Sequence, residues 1–357
     1  MTLLIAANIS SAVVAEEQTS GVLTVGTYRL LLQVIVFVGL PIAAFGMAGN
    51  IINIIVYIKM GFTESTNISL AALAFSDLGV VATAICTEIV FLLPIVQDVS
   101  IAPEVSFTLV AFPHLILTRT SAMITAFISL ERYLCVFLPL EIRRIITPKR
   151  TFIIMVVIFV AVISPMITVY FRYPLGWRFF PEQNRSLLGI LPMNDTTVET
   201  SFLIFQAYSS IVLPISSFVL VTFCTILLSV NLRRSKAWRD SNRGNKKQTS
   251  PASESEPSTE ASKENKAIKM VVAIATVFII SSIPSCIHII VVMMVPEFDI
   301  TGRYANIFIV TGNAFFVGDT INCSANIIIY YNMSSKFRQA AQELFSVKRH
   351  SAARQIT

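Results

Sequence analysis

Residues 67–93 read NISLAALAFSDLGVVATAICTEIVFLL. A run of this length, free of Lys and Arg, can carry a helix across about 30 Å of hydrocarbon at about 1.5 Å of rise per residue. The apolar residues are continuous rather than alternating, which points to a helix and away from a barrel strand. Two carboxylates interrupt the run, Asp77 and Glu88, eleven residues apart. At about 100° per residue that spacing returns to within about 20° of the same face. A charge at mid-bilayer costs about 2.5–3.5 kcal/mol, so this polar edge requires polar company from elsewhere in the chain.

Working outward, six more runs of comparable length appear, at roughly 30–58, 106–135, 151–171, 201–230, 267–294 and 305–331. The whole chain agrees with them: 357 residues are 54% hydrophobic and only 13% charged, with a mean hydropathy of +0.72. Soluble domains carry about 25% charge, so a water-soluble fold is excluded and lipid is the solvent. The expected fold is an all-α membrane protein, a seven-transmembrane helix bundle followed by a short amphipathic eighth helix. Prolines at 41, 165, 214 and 284 punctuate the spans, where neighbouring helices re-satisfy the carbonyls they free. The five cysteines (86, 135, 224, 286 and 323) lie in or beside apolar runs with no CxxC pair, which excludes zinc and redox motifs.

Charge placement orients the spans. Of the 27 Lys and Arg, 21 fall in the segments that are internal if the amino terminus is external. Five fall outside (Arg29, Arg172, Arg178, Arg185, Arg303), and Arg119 lies within the third run. This bias predicts an external amino terminus and a cytoplasmic carboxyl terminus, and it accounts for the net charge of +6 without a nucleic-acid partner. Glycosylation sequons at Asn8, Asn184 and Asn194 then face the exterior. Residues 1–29 are expected as a free extracellular tail rather than a cleaved leader, since the start lacks basic residues. Residues 30–331 form the transmembrane domain and 332–357 the eighth helix and cytoplasmic tail. The loop at about 231–266 contains TSPASESEPSTEAS and is expected to be disordered, with its Ser and Thr either phosphorylated or simply solvated. After the seventh run, Phe337, Ala340, Ala341 and Leu344 form one apolar stripe, the mark of a helix lying on the inner membrane surface.

The same angular arithmetic finds two further polar edges. His114, Ser121 and Arg132 are spaced by seven and eleven, and Asp319, Asn326 and Tyr330 by seven and four, with Asn322 on the adjacent edge. Three helices thus turn polar stripes toward a shared interior. Arg119 sits about 140° from His114; contact with a neighbouring helix, snorkelling and contact with a ligand stay open for it.

Taken jointly, these motifs resemble the rhodopsin-like (class A) G-protein-coupled receptors over about 30–345. The first run has GNIIN with Asn50, and the second has NISLAALAFSDL with Asp77. The third ends ERYLCVFLPL, with Glu131, Arg132 and Tyr133, and the fifth carries Pro214. The sixth has FIISSIP with Phe278 and Pro284, and the seventh has NCSANIIIY with Asn326 and Tyr330, followed by Phe337. There are departures. Phe107 stands where the family has its outer disulfide cysteine, and 172–200 contains no cysteine, so no outer disulfide is expected. The fourth run lacks the family's Trp, Ser282 replaces the sixth-helix Trp, Thr222 the fifth-helix Tyr, and Ile327 the seventh-helix Pro. The chain looks like a divergent, invertebrate-type member, peptide-responsive or chemosensory.

The resemblance implies a plasma-membrane receptor that binds an extracellular ligand and activates a heterotrimeric G protein, with arrestin and receptor kinases as further partners. It assigns Asp77, Ser121, Asn322 and Asn326 to a sodium-and-water pocket; a hydrogen-bonded network around a protonated Asp77 is the other reading. It pairs Arg132 with Glu131, and with Glu264 on the sixth helix, to hold the cytoplasmic crevice shut. Glu88, His114, His288 and Asp319 would line the outer cavity. His114 stands where amine receptors place an aspartate and Thr320 where opsins place their retinal lysine, so a monoamine and retinal are disfavoured. Nine acids against five bases in the outer segments favour a cationic or amidated peptide. Asp319 instead neutralising Arg119 or His114 stays open. A transporter or channel would show internal repeats, and none is present; a hydrolase would need a nucleophile–base cluster, and the histidines and serines show no such spacing.

Overall fold

The computed structural model describes residues 23–92, 103–180, 184–191, 193, 195–246, 259–298 and 302–354. Thr24 opens helix α1 (Val25–Met60) by accepting the Thr27 N–H on its hydroxyl at 3.2 Å. Gly61 closes it at φ 79°, a left-handed backbone that glycine adopts without strain. Then come α2 (Ser65–Leu92), α3 (Pro103–Phe137), the short α4 (Pro139–Ile145) and α5 (Pro148–Ile163). Proline occupies the first helical position of α4 and α5, where its missing N–H leaves no gap. Pro165 falls in a 3-10 turn, Ser164–Met166, which divides α5 from α6 (Ile167–Arg172). After β1 (Leu175–Phe180) and β2 (Arg185–Ile190) the chain forms α7 (Thr196–Ala207), a π turn (Tyr208–Val212), α8 (Leu213–Lys246), α9 (Thr259–Met294), α10 (Ala305–Met333) and α11 (Ser335–Arg354).

Among the described residues six helical stretches are long and apolar enough to cross a membrane: Gly26–Met60, Ser65–Ile89, Thr108–Phe137, Pro148–Arg172, Thr196–Arg234 and Lys266–Met294. Helix α10 has 29 residues, ample length at about 1.5 Å each. It falls outside that set by composition, because Thr311, Asn313, Asp319, Asn322, Ser324 and Asn326 dilute its apolar residues. The surface is inverted relative to a soluble protein. Phe37 is 82% exposed and Ile204 66%, while Asn50, Asn53, Ser76, Asp77, Thr120 and Ser129 are fully enclosed. That arrangement is stable only where the outside is apolar.

Helices α1, α2, α3, α8, α9 and α10 close into a ring in that order, α10 returning to α1, and α5 packs outside against α2 and α3. Near one end Tyr57, Tyr330 and Phe337 stack with ring centroids 5.4–5.6 Å apart above Leu70, Leu73, Ile124 and Ile128. Helix α11 docks there through Phe337 and Ala341, with Lys59–Glu343 at 2.9 Å and Lys336–Glu64 at 2.6 Å.

Two features differ from the sequence expectation. The chain is not wholly helical: β1 and β2 pair antiparallel from Leu175↔Ile190 to Phe180↔Arg185, with Asn184 at φ 48° in the turn. Leu187 and Ile190 sink among Phe112, Tyr173 and Phe202; six residues with this spacing carry no two-residue alternation to stand out against the apolar runs beside them. Helices α8 and α9 also reach into the segment read as a linker, leaving only 247–258 of it outside the described residues. Leu232, Arg233, Arg234, Lys236 and Ala237 are good helix formers, so a helix already nucleated in the span continues.

Candidate functional site: a polar core and the cavity above it

Asp77 stands midway along α2, fully enclosed. Its Oδ1 accepts the Ser121 hydroxyl of α3 at 2.5 Å, and its Oδ2 accepts the Asn326 amide of α10 at 2.7 Å. Asn50 of α1 joins from the side, its Nδ2 donating to the Gly46 and Cys323 carbonyls at 3.0 Å each, and Asn53 donates to Asn50 Oδ1 at 3.2 Å. The approach of α10 to α1 depends on Gly46, since a β-carbon there would meet Ser324 Oγ and Val81. Helices α2, α3 and α10 thus meet at one carboxylate, and α1 joins them through Asn50 on the Cys323 carbonyl. Each of its oxygens receives one donor and keeps a further lone pair, and an oxygen donor set of this kind suits a hard ion. Among the described residues no group of three or more His, Cys, Asp or Glu gathers for a metal.

Adjoining this cluster is a cavity of about 30 Å³, room for one or two waters. Ser121, Asn322 and Cys323 form its side toward Asp77. Arg119 and Asp319 bring it one charge of each sign, and Ser281, Ser282, Ser285 and Cys286 of α9 supply hydroxyls and a thiol. Phe278 and Pro214 complete the wall. Arg119, which the helical-wheel arithmetic left unassigned, donates from Nε to the Ser209 carbonyl at 3.0 Å.

The other outer residues stand apart from this cavity. His114 is enclosed between helices, with Nδ1 3.0 Å from Thr83 Oγ1, its ring 4.6 Å from Phe316, and Nε2 without a partner among the described residues. Glu88 points toward α1, where Gly39 leaves room for its Oε1, and its Oε2 is likewise unpartnered. His288 lies 3.3 Å from Thr311 Oγ1 inside a cage of Phe298, Phe308 and Phe315.

At the far end of α3, Glu131 Oε1 accepts from Ser65 Oγ at 2.6 Å and from Arg132 Nη2 at 3.1 Å. Arg132 also donates to Thr66 Oγ1, so α2's first turn holds it, a pair of partners that sequence spacing gave no sign of. Tyr133 stacks on Phe137 at 4.5 Å and lies 6.3 Å from Phe223. Glu264 falls within α9, but its side chain lies outside the described residues; Pro284 falls inside α9 and Tyr330 is fully buried. Of the sequons, Asn184 is exposed at the hairpin tip, whereas Asn8 and Asn194 lie outside the described residues. Asn67 is 6% exposed and bonded to the Gly61 carbonyl, which closes it to modification.

The serines of α9 and the π turn were the main omissions from the sequence reading. Ser281, Ser282 and Ser285 flank Pro284 at helical spacing within an apolar run, a visible sign that this face meets something polar.

A bundle of membrane-length helices that gathers its polar side chains inward, with an arginine tethered at the end of α3, defines a polytopic membrane protein built around a polar core. The profile of the 7 transmembrane receptor (rhodopsin family) matches residues 49–330, and the chain belongs to that family. Membership makes it a multi-pass plasma-membrane receptor rather than an enzyme, and implies an extracellular ligand and a G-protein partner.

Proposed function

We propose that the chain is a receptor whose extracellular ligand acts at the Arg119–Asp319 cavity and opens the cytoplasmic end around Arg132 to a heterotrimeric G protein. The observation that carries this reading is Ser121, which lines the cavity and also bonds Asp77. A change in the cavity therefore reaches the polar core in one step. In this reading α10 is the seventh span, α11 the eighth helix on the inner surface, the amino terminus is extracellular and the carboxyl terminus cytoplasmic. Arg132 held by Glu131 and Thr66, and Tyr330 packed on Tyr57 and Phe337, are features of a resting arrangement. An agonist shifts the balance between two packings by binding one of them better. Arrestin and receptor kinases follow as partners of the activated state.

For the ligand, the sequence favours a cationic or amidated peptide. A small chemosensory ligand is the second reading, favoured by the modest cavity and by Asp319 already facing the Arg119 charge. A second-messenger readout in cells, challenged with amidated peptides and with small odorants, separates the two; response to neutral or anionic small molecules alone removes the peptide. Arg132→Ala abolishes coupling while surface expression persists, and retained signalling would contradict the role of Arg132. Asp77→Asn abolishes sodium dependence of the response if the Asp77 cluster takes a cation; unchanged dependence assigns that cluster to hydrogen bonding alone.

A further inference from the structure

The π turn Tyr208–Val212 leaves a hydrogen-bond problem that Arg119 solves. The Leu213 N–H reaches the Tyr208 carbonyl, five residues back, and so leaves the Ser209 carbonyl that it would serve in an α-helix. The next residue, Pro214, has no N–H to offer. Ser209 is fully buried, and its carbonyl receives the Arg119 Nε instead, at 3.0 Å. In the alternative α register Leu213 would serve Ser209, and Pro214 would strand the Ser210 carbonyl. Each register leaves one carbonyl unserved, so the main chain itself favours neither strongly. The side chain that takes Ser209 decides between them.

We propose that Arg119 is a latch that holds α7–α8 in the π register, and that a carboxylate on the ligand acts by drawing the guanidinium off Ser209 into the cavity. This rests on the reading of the chain as a ligand-operated receptor. The guanidinium is a donor-only group whose strongest partners are carboxylates, which it engages through two parallel bonds. Release lets Leu213 return to Ser209, and the residues of α8 turn by about 100° relative to α7. Val221, packed on Ala122, Ala126 and Phe278, and Phe223, beside Tyr133, must then repack. Tyr133 adjoins Arg132, so the rotation arrives at the coupling end of α3.

The test uses purified full-length chain with Tyr133→Cys and Phe223→Cys in a Cys135→Ser, Cys224→Ser background, and reads the yield of cross-linking by a short bifunctional thiol reagent that spans the facing side chains. With Arg119 in place the pair cross-links; Arg119→Gln and Arg119→Met lower the yield by roughly tenfold, because a turn of about 100° carries position 223 off the face that meets position 133. Deleting Ile211 removes the extra residue of the π turn, which makes the turn α-helical with α8 still in its observed orientation, so the deletion restores the yield in both Arg119 variants. Unchanged yield on losing Arg119, or no recovery in the deletion background, overturns the latch. Graded propionate lowers the yield of the Arg119 protein and propylammonium does not; equal yields, or the reverse order, overturn the carboxylate assignment. No G protein enters this measurement, so a failure of the receptor reading in cells leaves its outcome independent.

Discussion

The Asp77 cluster and the region on its hairpin side share a wall, yet they are completed differently. Around Asp77 both carboxylate oxygens have donors and Asn50 is bonded on both sides, leaving Asn53 Oδ1 as that cluster's one atom without a partner among the described residues. Toward the hairpin, His114 Nε2, Glu88 Oε2 and Thr118 Oγ1 are buried without partners among the described residues. A filled network in low dielectric fixes one packing, whereas a partly filled one gains most from an arriving molecule with polar groups. The first region therefore reads as framework, and the second keeps more of its polar atoms without partners among the described residues.

Four measurements break or sharpen this contrast. Asp77→Leu strands the Ser121 and Asn326 donors, and a buried group left unpaired costs about 1–3 kcal/mol; the thermal midpoint in detergent should fall more than for any other change here. Gly46→Val forces a side chain against Ser324 and Val81, and overpacking of this kind costs about 1–3 kcal/mol; the same melt reports it, and an unchanged midpoint would mean α1 can move aside. His114→Phe keeps the ring contact with Phe316 and loses the ring-nitrogen bonds to Thr83 and the Val80 backbone, so the midpoint should move by less than the Asp77→Leu shift, by about 1–2 kcal/mol equivalent. A fall as large as that of Asp77→Leu would erase the distinction. The smallest effect belongs to Asp195, whose carboxyl the Val198 and Thr197 N–H groups hold below the usual range. With the folded pKa depressed, its contribution is present at neutral pH and is lost as pH falls through that lowered value. Amide exchange at Thr197 and Val198 should quicken over that acidic interval in wild type, and Asp195→Asn should flatten the dependence.

Much of this was legible in the amino-acid sequence. Helical periodicity alone placed Asp77, Ser121 and Asn326 on inward edges, because a charge in lipid admits few other solutions. The six apolar spans follow from composition. What periodicity could not reach is the partner of a side chain on another helix: the family resemblance grouped Glu88, His114 and His288 with Asp319, while the fold sends the first to α1, the second to α2 and the third into a phenylalanine cage. It was also silent on Arg119, whose partner is a backbone carbonyl exposed by a one-residue register shift. Pro214 was the only trace of that shift, and an intramembrane proline signals a break without giving its form. The hairpin escaped because its buried residues, Leu187 and Ile190, point into a cluster contributed by α3, α6 and α7.

That hairpin has no covalent tie. All five cysteines are free thiols, and the ribbon is secured by Leu187 and Ile190 in the apolar cluster, by the Leu191 N–H on the Pro174 carbonyl at 2.9 Å, and by the neighbouring Arg172–Glu199 pair. Reductants that loosen disulfide-tethered surfaces should leave this one untouched. Its attachment is instead a matter of solvent: detergents small enough to invade Phe112, Tyr173 and Phe202 would peel the ribbon away first, so micelle choice governs whether the mouth of the bundle survives purification.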